Sequence, residues 1–353
     1  MSGYRCRGLL GSLLLSSLVF SASTLFGIGL GIDGDGIRFA DGTFQTTAAF
    51  PPLPANMTWV VPAGSSYEYD DYYISPVDAM NHLSDWCTLG GTIVPVRARC
   101  TLMIAPGTYD LEGDQQIIMH EKVDIVGMGI GSTIIRGFVK GSTWDGTSAV
   151  FRGAADAALR NLSIANFVFL ANASGDHSSV IYNDEAGFRV NNVSISINGN
   201  DRIYGVINNN VDAIYTNLDI KAANIWIPSK PSALCFGFWA RGAGNIEINR
   251  AQVVAEGCSD STAIQDNGAN LRLVNTNASA TCPNGPCGAY AVWNVSGVLT
   301  ILNSKLEGVS RSITIGSDSD RIINTHFNGP VFDAFPGTQC RGTYGNSLGD
   351  VPC

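Results

Sequence analysis

Four residues of this chain are candidates for a catalytic role: Asp266, Glu256, Arg241 and Gln265. A carboxylate can act as a nucleophile or as a general acid or base. Hydrolysis of a glycosidic bond uses two carboxylates that lie roughly 5–10 Å apart. If the chain is catalytic, we expect its reaction to centre on Asp266 and Arg241, with Glu256 and Gln265 beside them.

The strand that contains Asp266 recurs along the chain. Five segments align with one another: 179–183, 204–208, 236–240, 262–266 and 290–294. Strand side chains alternate between two faces, so the apolar middle residues should point inward: Ile181, Val206, Phe238, Ile264 and Val292. Their neighbours should point outward, as a column of small residues (Val180, Gly205, Gly237, Ala263, Ala291) beside a larger column (Tyr182, Ile207, Trp239, Gln265, Trp293).

The larger column predicts a binding surface for sugars. Flat aromatic rings suit the apolar faces of sugar rings, so we expect Tyr182, Trp239 and Trp293 to contact a polysaccharide, together with Asn294 at the end of its strand. Two alternatives remain open. Long loops at 225–231 and 281–288 could cover the aromatic residues, or the two faces could be inverted.

These strands belong to a longer repeat. Apolar strands run into an anchor residue at intervals of 31, 25, 33, 25, 28 and 21 residues. The anchors are Asn161, Asn192, Asn217, Arg250, Asn275, Asn303 and Asn324. A period of this size with strand-like contents indicates a solenoid. Asparagine tolerates the left-handed conformation of a tight turn, and stacked asparagines can form a ladder. The second anchor could equally be Asn191, and Arg250 interrupts the ladder.

The segments before the repeats carry a family resemblance. A predicted helix at 75–86 is followed by I-A-P-G-T-Y at 104–109 and V-D-I-V-G-M-G-I-G-S-T-I-I-R-G at 123–137. This order, followed by the repeats, resembles the N-terminal coils of pectin methylesterases and other pectin-lyase-like proteins. The resemblance implies an all-β fold: a right-handed parallel β-helix over 57–330, with an N-terminal capping helix and a disulfide-closed C-terminal cap at 331–353.

The resemblance also bears on function. Pectin methylesterases have a similarly placed Q-D pair, followed one coil later by a second aspartate. Gln265 and Asp266 match that pair, but Asn294 stands at the second position, which argues against methylesterase activity. We therefore expect an exported protein that binds carbohydrate. The alternatives are a divergent polysaccharide lyase or hydrolase acting on pectin-like or other acidic glycans, and a structural or adhesive protein similar to tail spikes.

The N-terminus resembles an export signal over residues 1–23. Arg5 and Arg7 precede an apolar run at 9–20 and small residues at 21–23, the pattern of a signal peptide. A retained N-terminal anchor is the alternative. Because no later stretch reaches the roughly 20 apolar residues of a membrane span, we expect a secreted, periplasmic or cell-surface protein without a span after signal removal.

Residues 24–56 read as a hairpin or linker. Asp41-Gly42 between alternating apolar residues indicates a hairpin. The surrounding F-A-D-G-T-F-Q-T-T-A at 39–48 resembles a stretch that recurs in bacteriophage tail fibres. That resemblance adds a homotrimer to the expected oligomeric states, the other being a monomer. A simple capping segment is an equally good interpretation.

Charge and cysteines restrict the partners. The formal net charge is −9 without a basic cluster, which argues against nucleic acid.

Removal of the signal leaves eight cysteines, and proximity pairs Cys87 with Cys100, Cys235 with Cys258, Cys282 with Cys287, and Cys340 with Cys353. Disulfides suit an oxidising compartment. Four scattered histidines and the lack of a C-x-x-C pair argue against zinc. No cofactor is expected, although calcium stays open, since it binds converging carboxylates.

Overall fold

The structure is a computed structural model, and its chain divides into two compact units, 1–52 and 53–353. It describes residues 31–33, 36–38, 44–45, 56–63, 72–89, 92–93, 99–167, 176–199, 201–224, 233–282, 287–333 and 338–345. In the first unit, β1 (Gly31–Asp33), β2 (Gly36–Arg38) and β3 (Phe44–Gln45) form an antiparallel sheet. The predicted signal at 1–23 and the predicted turn at Asp41-Gly42 lie outside the described residues.

The predicted helix lies near the start of the second unit, but it is broken into two. Helix α1 (Pro76–Asn81) has Ser75 as its N-cap, whose Oγ accepts hydrogen bonds from the backbone N–H groups of Val77 and Asp78 at 3.2 and 3.4 Å. His82 leaves the helical conformation, and α2 (Leu83–Trp86) follows it. None of the described helices is long and apolar enough to cross a membrane.

Strands make up most of the second unit. The first coils and the segments before them contain β4 (Met57–Val60), β5 (Tyr72–Tyr73), β6 (Thr88–Leu89), β7 (Thr92–Ile93), β8 (Cys100–Ile104), β9 (Gly107–Asp110), β10 (Ile117–Ile118), β11 (Val123–Gly127) and β12 (Thr133–Gly137). The middle coils contain β13 (Ala149–Arg152), β14 (Ala158–Phe167), β15 (His177–Asn183), β16 (Phe188–Asn198), β17 (Arg202–Asn209), β18 (Ala213–Ala223), β19 (Leu234–Arg241), β20 (Asn245–Asn249) and β21 (Gln252–Glu256). The last coils contain β22 (Asp260–Val274), β23 (Asn277–Thr281), β24 (Gly288–Leu302), β25 (Lys305–Gly308), β26 (Arg311–Ile315), β27 (Arg321–Ile323), β28 (His326–Asn328), β29 (Val331–Asp333), β30 (Gln339–Arg341) and β31 (Tyr344–Gly345).

The pairing of these strands confirms a parallel β-helix. Each coil adds one strand to each of three parallel sheets, because a strand pairs with its counterpart one coil later. Sheet I contains β8, β11, the first halves of β14, β16 and β18, then β20, the ends of β22 and β24, β27 and β30. Sheet II contains β9, β12, the second halves of β14, β16 and β18, then β21, β23, β25, β28 and β31. Sheet III contains β10, β13, β15, β17, β19, the starts of β22 and β24, β26 and β29.

The anchors of the repeat form the bend between sheets I and II. All seven have positive φ angles, between 49° and 56°, which confirms the left-handed turn, and the second anchor is Asn192. The ladder is partial. Asn192 donates to the Oδ1 of Asn161 at 3.0 Å and Asn324 to that of Asn303 at 3.3 Å, whereas Asn217 donates to Asn191 at 3.4 Å.

Disulfides join neighbouring parts of the solenoid. Cys87 is bonded to Cys100, Cys235 to Cys258, and Cys282 to Cys287, which are the pairs that proximity predicts. Cys340 is also disulfide-bonded, while its predicted partner at 353 lies outside the described residues. The bonds restrict the unfolded chain, and this restriction is their main stabilising effect in the chain-entropy description.

The anchor turn makes a stability prediction at Asn275, whose φ is 50°. In Asn275→Ala, a Cβ-bearing residue without a local polar group must hold the left-handed conformation, and we expect a loss of about 1 kcal/mol in the free energy of unfolding. In Asn275→Gly the penalty is absent, so this variant should unfold close to the wild type. Denaturant titration of both variants measures the difference, and equal destabilisation by alanine and glycine would contradict the assignment.

Candidate functional site

The outward side of sheet III carries a separate hydrophobic cluster. Two columns of side chains stand on it, one residue per coil. The first column is Tyr182, Ile207, Trp239, Gln265, Trp293 and Thr314. The second is Tyr204, Phe236, Thr262, Tyr290 and Arg311. Residues of both columns pack with each other and not with the solenoid core. We call this surface the aromatic face.

Aromatic rings of the two columns stack against one another. Tyr204 lies 5.1 Å from Phe236 and 5.2 Å from Trp239, measured between ring centroids. One coil beyond Gln265, Tyr290 stacks on Trp293 at 4.9 Å. Such stacking is worth about 0.5–1.5 kcal/mol for each pair beyond the area that it buries. The rings are therefore held in fixed positions before any ligand arrives.

The loop between β12 and β13 covers one end of the aromatic face. Gly141 pairs with the backbone of His177, and the loop then places Trp144 at 6.0 Å from Trp239. Arg241 lies between the indoles, with its guanidinium carbon 3.6 Å from the Trp144 ring centroid and 4.6 Å from that of Trp239. Tyr182 is only 4 % exposed. A loop therefore covers this end of the aromatic face, as one of the alternatives expected. The loops named in that alternative, at 225–231 and 281–288, lie largely outside the described residues.

Unsatisfied polar atoms mark the middle of the aromatic face. The indole Nε1 of Trp239, the Nη1 of Arg241 and the Oε1 of Gln265 are all buried without a hydrogen-bond partner. Trp239 and Gln265 are neighbours in adjacent strands, and Arg241 lies two residues after Trp239 on the same face. Burial lowers the pKa of Arg241, yet a guanidinium stays charged in proteins. Two donors and one acceptor therefore stand side by side.

The predicted groove of small residues is wrong. Val180, Ala263 and Ala291 belong to the solenoid core. A Cβ added to Gly205 or Gly237 would collide with Ile220 or Val253 of sheet II, so this column also points inward. The predicted inward column is confirmed, since Ile181, Val206, Phe238, Ile264 and Val292 have no exposed surface. Two consecutive residues of each strand thus face the interior, and the pairing between adjacent strands skips the first of the two.

Asp266 points away from the aromatic face. It follows Gln265 directly, so its side chain lies on the inner side of the strand, where it is 0 % exposed. Its Oδ1 accepts a hydrogen bond from the backbone N–H of Ala269 at 2.9 Å. Asn294 is buried one coil later and donates to the Oδ2 of Asp320 at 2.9 Å. The predicted contacts of Asp266 and Asn294 with substrate do not fit these positions.

Glu256 lies apart as well. It ends β21 in sheet II and forms an ion pair with Lys221 at 2.7 Å. The turn after it leads to the first residue of β22, Asp260, and Asp266 lies six residues farther along, or roughly 20 Å of strand. Of the four predicted catalytic residues, the structure brings together Arg241 and Gln265 and separates Asp266 and Glu256 from them.

The carboxylates considered for calcium have other contacts. Asp184 forms an ion pair with Arg152 at 3.2 Å, and Asp260 accepts a hydrogen bond from the backbone N–H of Gly288 at 3.0 Å. Among the described residues, no three histidine, cysteine or acidic side chains are grouped so that they could hold a metal ion.

Sequence reasoning missed several residues of the aromatic face. Tyr204, Phe236 and Tyr290 are the first residues of the aligned strand segments, so their common position is a signal that could have found them. Trp144 belongs to a loop outside the repeat, and no pattern in the sequence indicates where such a loop packs. Its placement depends on long-range contacts with Trp239 and Arg241.

A second concave surface lies on the outer side of sheet I. This groove has a volume of about 510 Å³ and includes Ile214, Glu247 and Arg272 in its lining. Arg272 is paired with Glu247 at 2.8 Å. Asn245 is hydrogen-bonded to Asp212 and Asn270 in the same lining, so several polar side chains of this groove are paired with one another, unlike the unpartnered atoms of the aromatic face.

Comparisons with known proteins concern the fold. No protein-family model and no curated protein matches the chain. Pectate lyase Pel9A is similar over 83% of this chain and 81% of its own, with 13% identity and a TM-score of 0.55. A rice weevil pectin methylesterase covers 84% of this chain and 91% of its own at 13% identity and a TM-score of 0.45. The pectin methylesterase PemA from Erwinia chrysanthemi covers 85% of this chain and 92% of its own, at 12% identity and a TM-score of 0.45. The likeness to Pel9A confirms the parallel β-helix fold that the sequence resemblance implies.

Asp266 makes a prediction about pH. Burial, and secondarily the nearby Asp320, raises the pKa of Asp266 to about 7. Its Oδ2 and the Oδ1 of the adjacent Asn294 are both buried without partners. A protonated Asp266 can donate to that Oδ1, just as Asn183 donates to Asn208 at 2.8 Å in the same column. We therefore infer that the folded protein keeps Asp266 protonated below neutral pH.

Because an unfolded aspartate ionises near pH 4, unfolding releases this proton between about pH 4 and pH 7, and stability falls as pH rises through that window. Asp266→Asn should remove most of this decline and stabilise the protein at pH 7 and above. Asp320→Asn is the control, since its new amide would face the donating amide of Asn294 and should destabilise. Unfolding free energies at pH 4–8 measure both, and an unchanged pH slope in Asp266→Asn would refute the assignment.

Proposed function

We propose that the protein binds a polysaccharide lengthwise along the aromatic face. The observation that carries this proposal is the set of three unpartnered polar atoms on Trp239, Arg241 and Gln265, which lie beside stacked aromatic rings. A sugar offers both an apolar ring face and a rim of hydroxyl groups. Its hydroxyls can accept from the two donors and donate to the amide oxygen.

The energetics favour a ligand at this place. A buried polar atom without a partner costs about 1–3 kcal/mol, and a bound hydroxyl recovers that free energy. Trp239 and Trp293 retain partly exposed side chains, and rigid aromatic rings lose little entropy when a ligand stacks on them. Polar and stacking contacts are thus available on the same surface.

Binding without turnover fits the geometry better than catalysis. A hydrolase needs carboxylates on the substrate side, but Asp266 is turned into the solenoid and Glu256 is paired with Lys221. The described positions of the two outward columns hold aromatic, aliphatic, amide, hydroxyl and arginine side chains. Arg241 therefore serves as a binding group in this proposal.

We further propose that the protein works outside the cytoplasm. Three supports are the signal-like sequence at 1–23, the disulfides of the solenoid, and the extracellular nature of most polysaccharides. The bonded cysteines are close to each other in sequence, so each bond lies within one coil or joins adjacent coils.

Glycan binding tests the proposal. The wild type should be retained on at least one polysaccharide of a plant, fungal and bacterial glycan panel, and Trp239→Ala should weaken that binding about tenfold, equal to about 1.4 kcal/mol. Ile214→Ala, which removes a 49 % exposed side chain from sheet I, is the matched control and should bind normally. Thermal unfolding verifies that both variants are folded.

Three outcomes would count against the proposal. The wild type could bind none of the glycans, or the Trp239 and Ile214 variants could bind alike. Release of unsaturated sugar products, followed by ultraviolet absorbance, would establish a lyase and contradict binding without turnover.

A further inference from the structure

Aromatic residues recur at every second coil in the first column of the aromatic face. In successive coils this column contains Tyr182, Ile207, Trp239, Gln265, Trp293 and Thr314. Three aromatic residues thus alternate with three that are not aromatic. The second column lacks this alternation, since Tyr204 and Phe236 occupy adjacent coils. The period of two coils is therefore a property of one line of side chains.

The spacing of that line follows from the pairing. Neighbouring strands of a sheet are about 4.8 Å apart, so Trp239 and Trp293 lie about 9.6 Å apart along the solenoid. Tyr182 lies under the loop that carries Trp144, where Gly146 packs against its ring. The accessible part of the line therefore begins at Trp239.

The intervening positions carry hydrogen-bonding groups. The Oε1 of Gln265 and the Oγ1 of Thr314 are both buried without partners. The Nε2 of Gln265 donates to the Oδ1 of Asn267 at 3.1 Å, which fixes the orientation of the amide. From Trp239 onward, the column thus reads ring, polar group, ring, polar group.

We propose that the ligand is an extended β-1,4-linked polysaccharide with equatorial linkages. In such a chain each sugar is turned over relative to the one before it, so the same ring face recurs at every second sugar. The length of its disaccharide is close to two strand spacings. Alternate sugars contact the exposed parts of Trp239 and Trp293, and the sugar between them presents hydroxyls to Gln265. An α-1,4-linked glucan curls, and an α-1,4-linked galacturonan is extended but has axial linkages and a different repeat, so neither keeps this phase. This inference rests on the proposed function and specifies its ligand.

Four hexasaccharides test the linkage. Calorimetric titration compares cellohexaose and xylohexaose, which are β-1,4-linked, with maltohexaose and hexagalacturonate, which are α-1,4-linked. We expect at least one β-linked chain to bind about tenfold more tightly than both α-linked chains. Equal or tighter binding of an α-linked chain overturns the inference but leaves the proposed function standing, whereas no binding of any glycan, polymers included, defeats both.

The phase of the column is tested by moving one ring. The double variant Gln265→Trp, Trp293→Gln keeps the composition but places aromatic rings on adjacent coils. Affinity for the β-linked chain should fall about tenfold, and Ile214→Ala should leave it unchanged. Unchanged affinity in the folded double variant overturns the inference. If the double variant does not fold, Trp293→Ala takes its place: a tenfold loss supports the inference, and normal binding overturns it.

Discussion

Parallel pairing of one coil with the next is the interaction on which the whole molecule depends. Each strand bonds to its counterpart in the next coil with the same register, so equivalent residues stack directly above one another. A residue type that recurs at one position of the coil therefore forms a continuous column of side chains. The apolar core, the asparagine bends and the aromatic face are all built from such columns. Because strand spacing is set by backbone hydrogen bonds, side chains in all of them share one period.

The periodic part of this architecture could be predicted from the sequence. The anchors at Asn161, Asn217 and their equivalents indicate the bend, since few other residues adopt positive φ without strain. Arg250 adopts it too, held by the coils on both sides. The fully apolar column through Phe238 indicated which side faces inward. Local repetition was sufficient for these features.

The site could be predicted only in part, for two physical reasons. Strict alternation of side chains fails in sheet III, where two consecutive residues of each strand face inward, so Gly237 faces the core and the predicted outward column of small residues does not exist. Alternation does hold at Gln265 and Asp266, but it sends the carboxylate inward, whereas the comparison with an enzymatic Q-D pair suggested a common role for both. The Trp144 loop has no repeat at all, and its contact with Arg241 joins segments almost 100 residues apart.

Burial gives the same chemical groups opposite roles on the two sides of one strand. On the inner side, Asp266 and Asn294 occupy the same column as the hydrogen-bonded pair Asn183 and Asn208, and Asn294 donates to Asp320. On the outer side, Gln265 and Arg241 keep hydrogen-bonding capacity that the chain itself does not use. The hydrogen bonds of the interior therefore stabilise the fold, and the groups that we propose for binding lie on the exterior.

The two-coil alternation of Tyr182, Trp239 and Trp293 restricts how this solenoid can change in length during evolution. Duplication or loss of a single coil leaves the backbone stack intact, because every coil pairs in the same way. It nevertheless shifts all rings beyond that point out of step with those before it. Only the gain or loss of an even number of coils preserves both the backbone stack and the alternation of rings. Relatives that share this surface should therefore differ from this chain by an even number of coils.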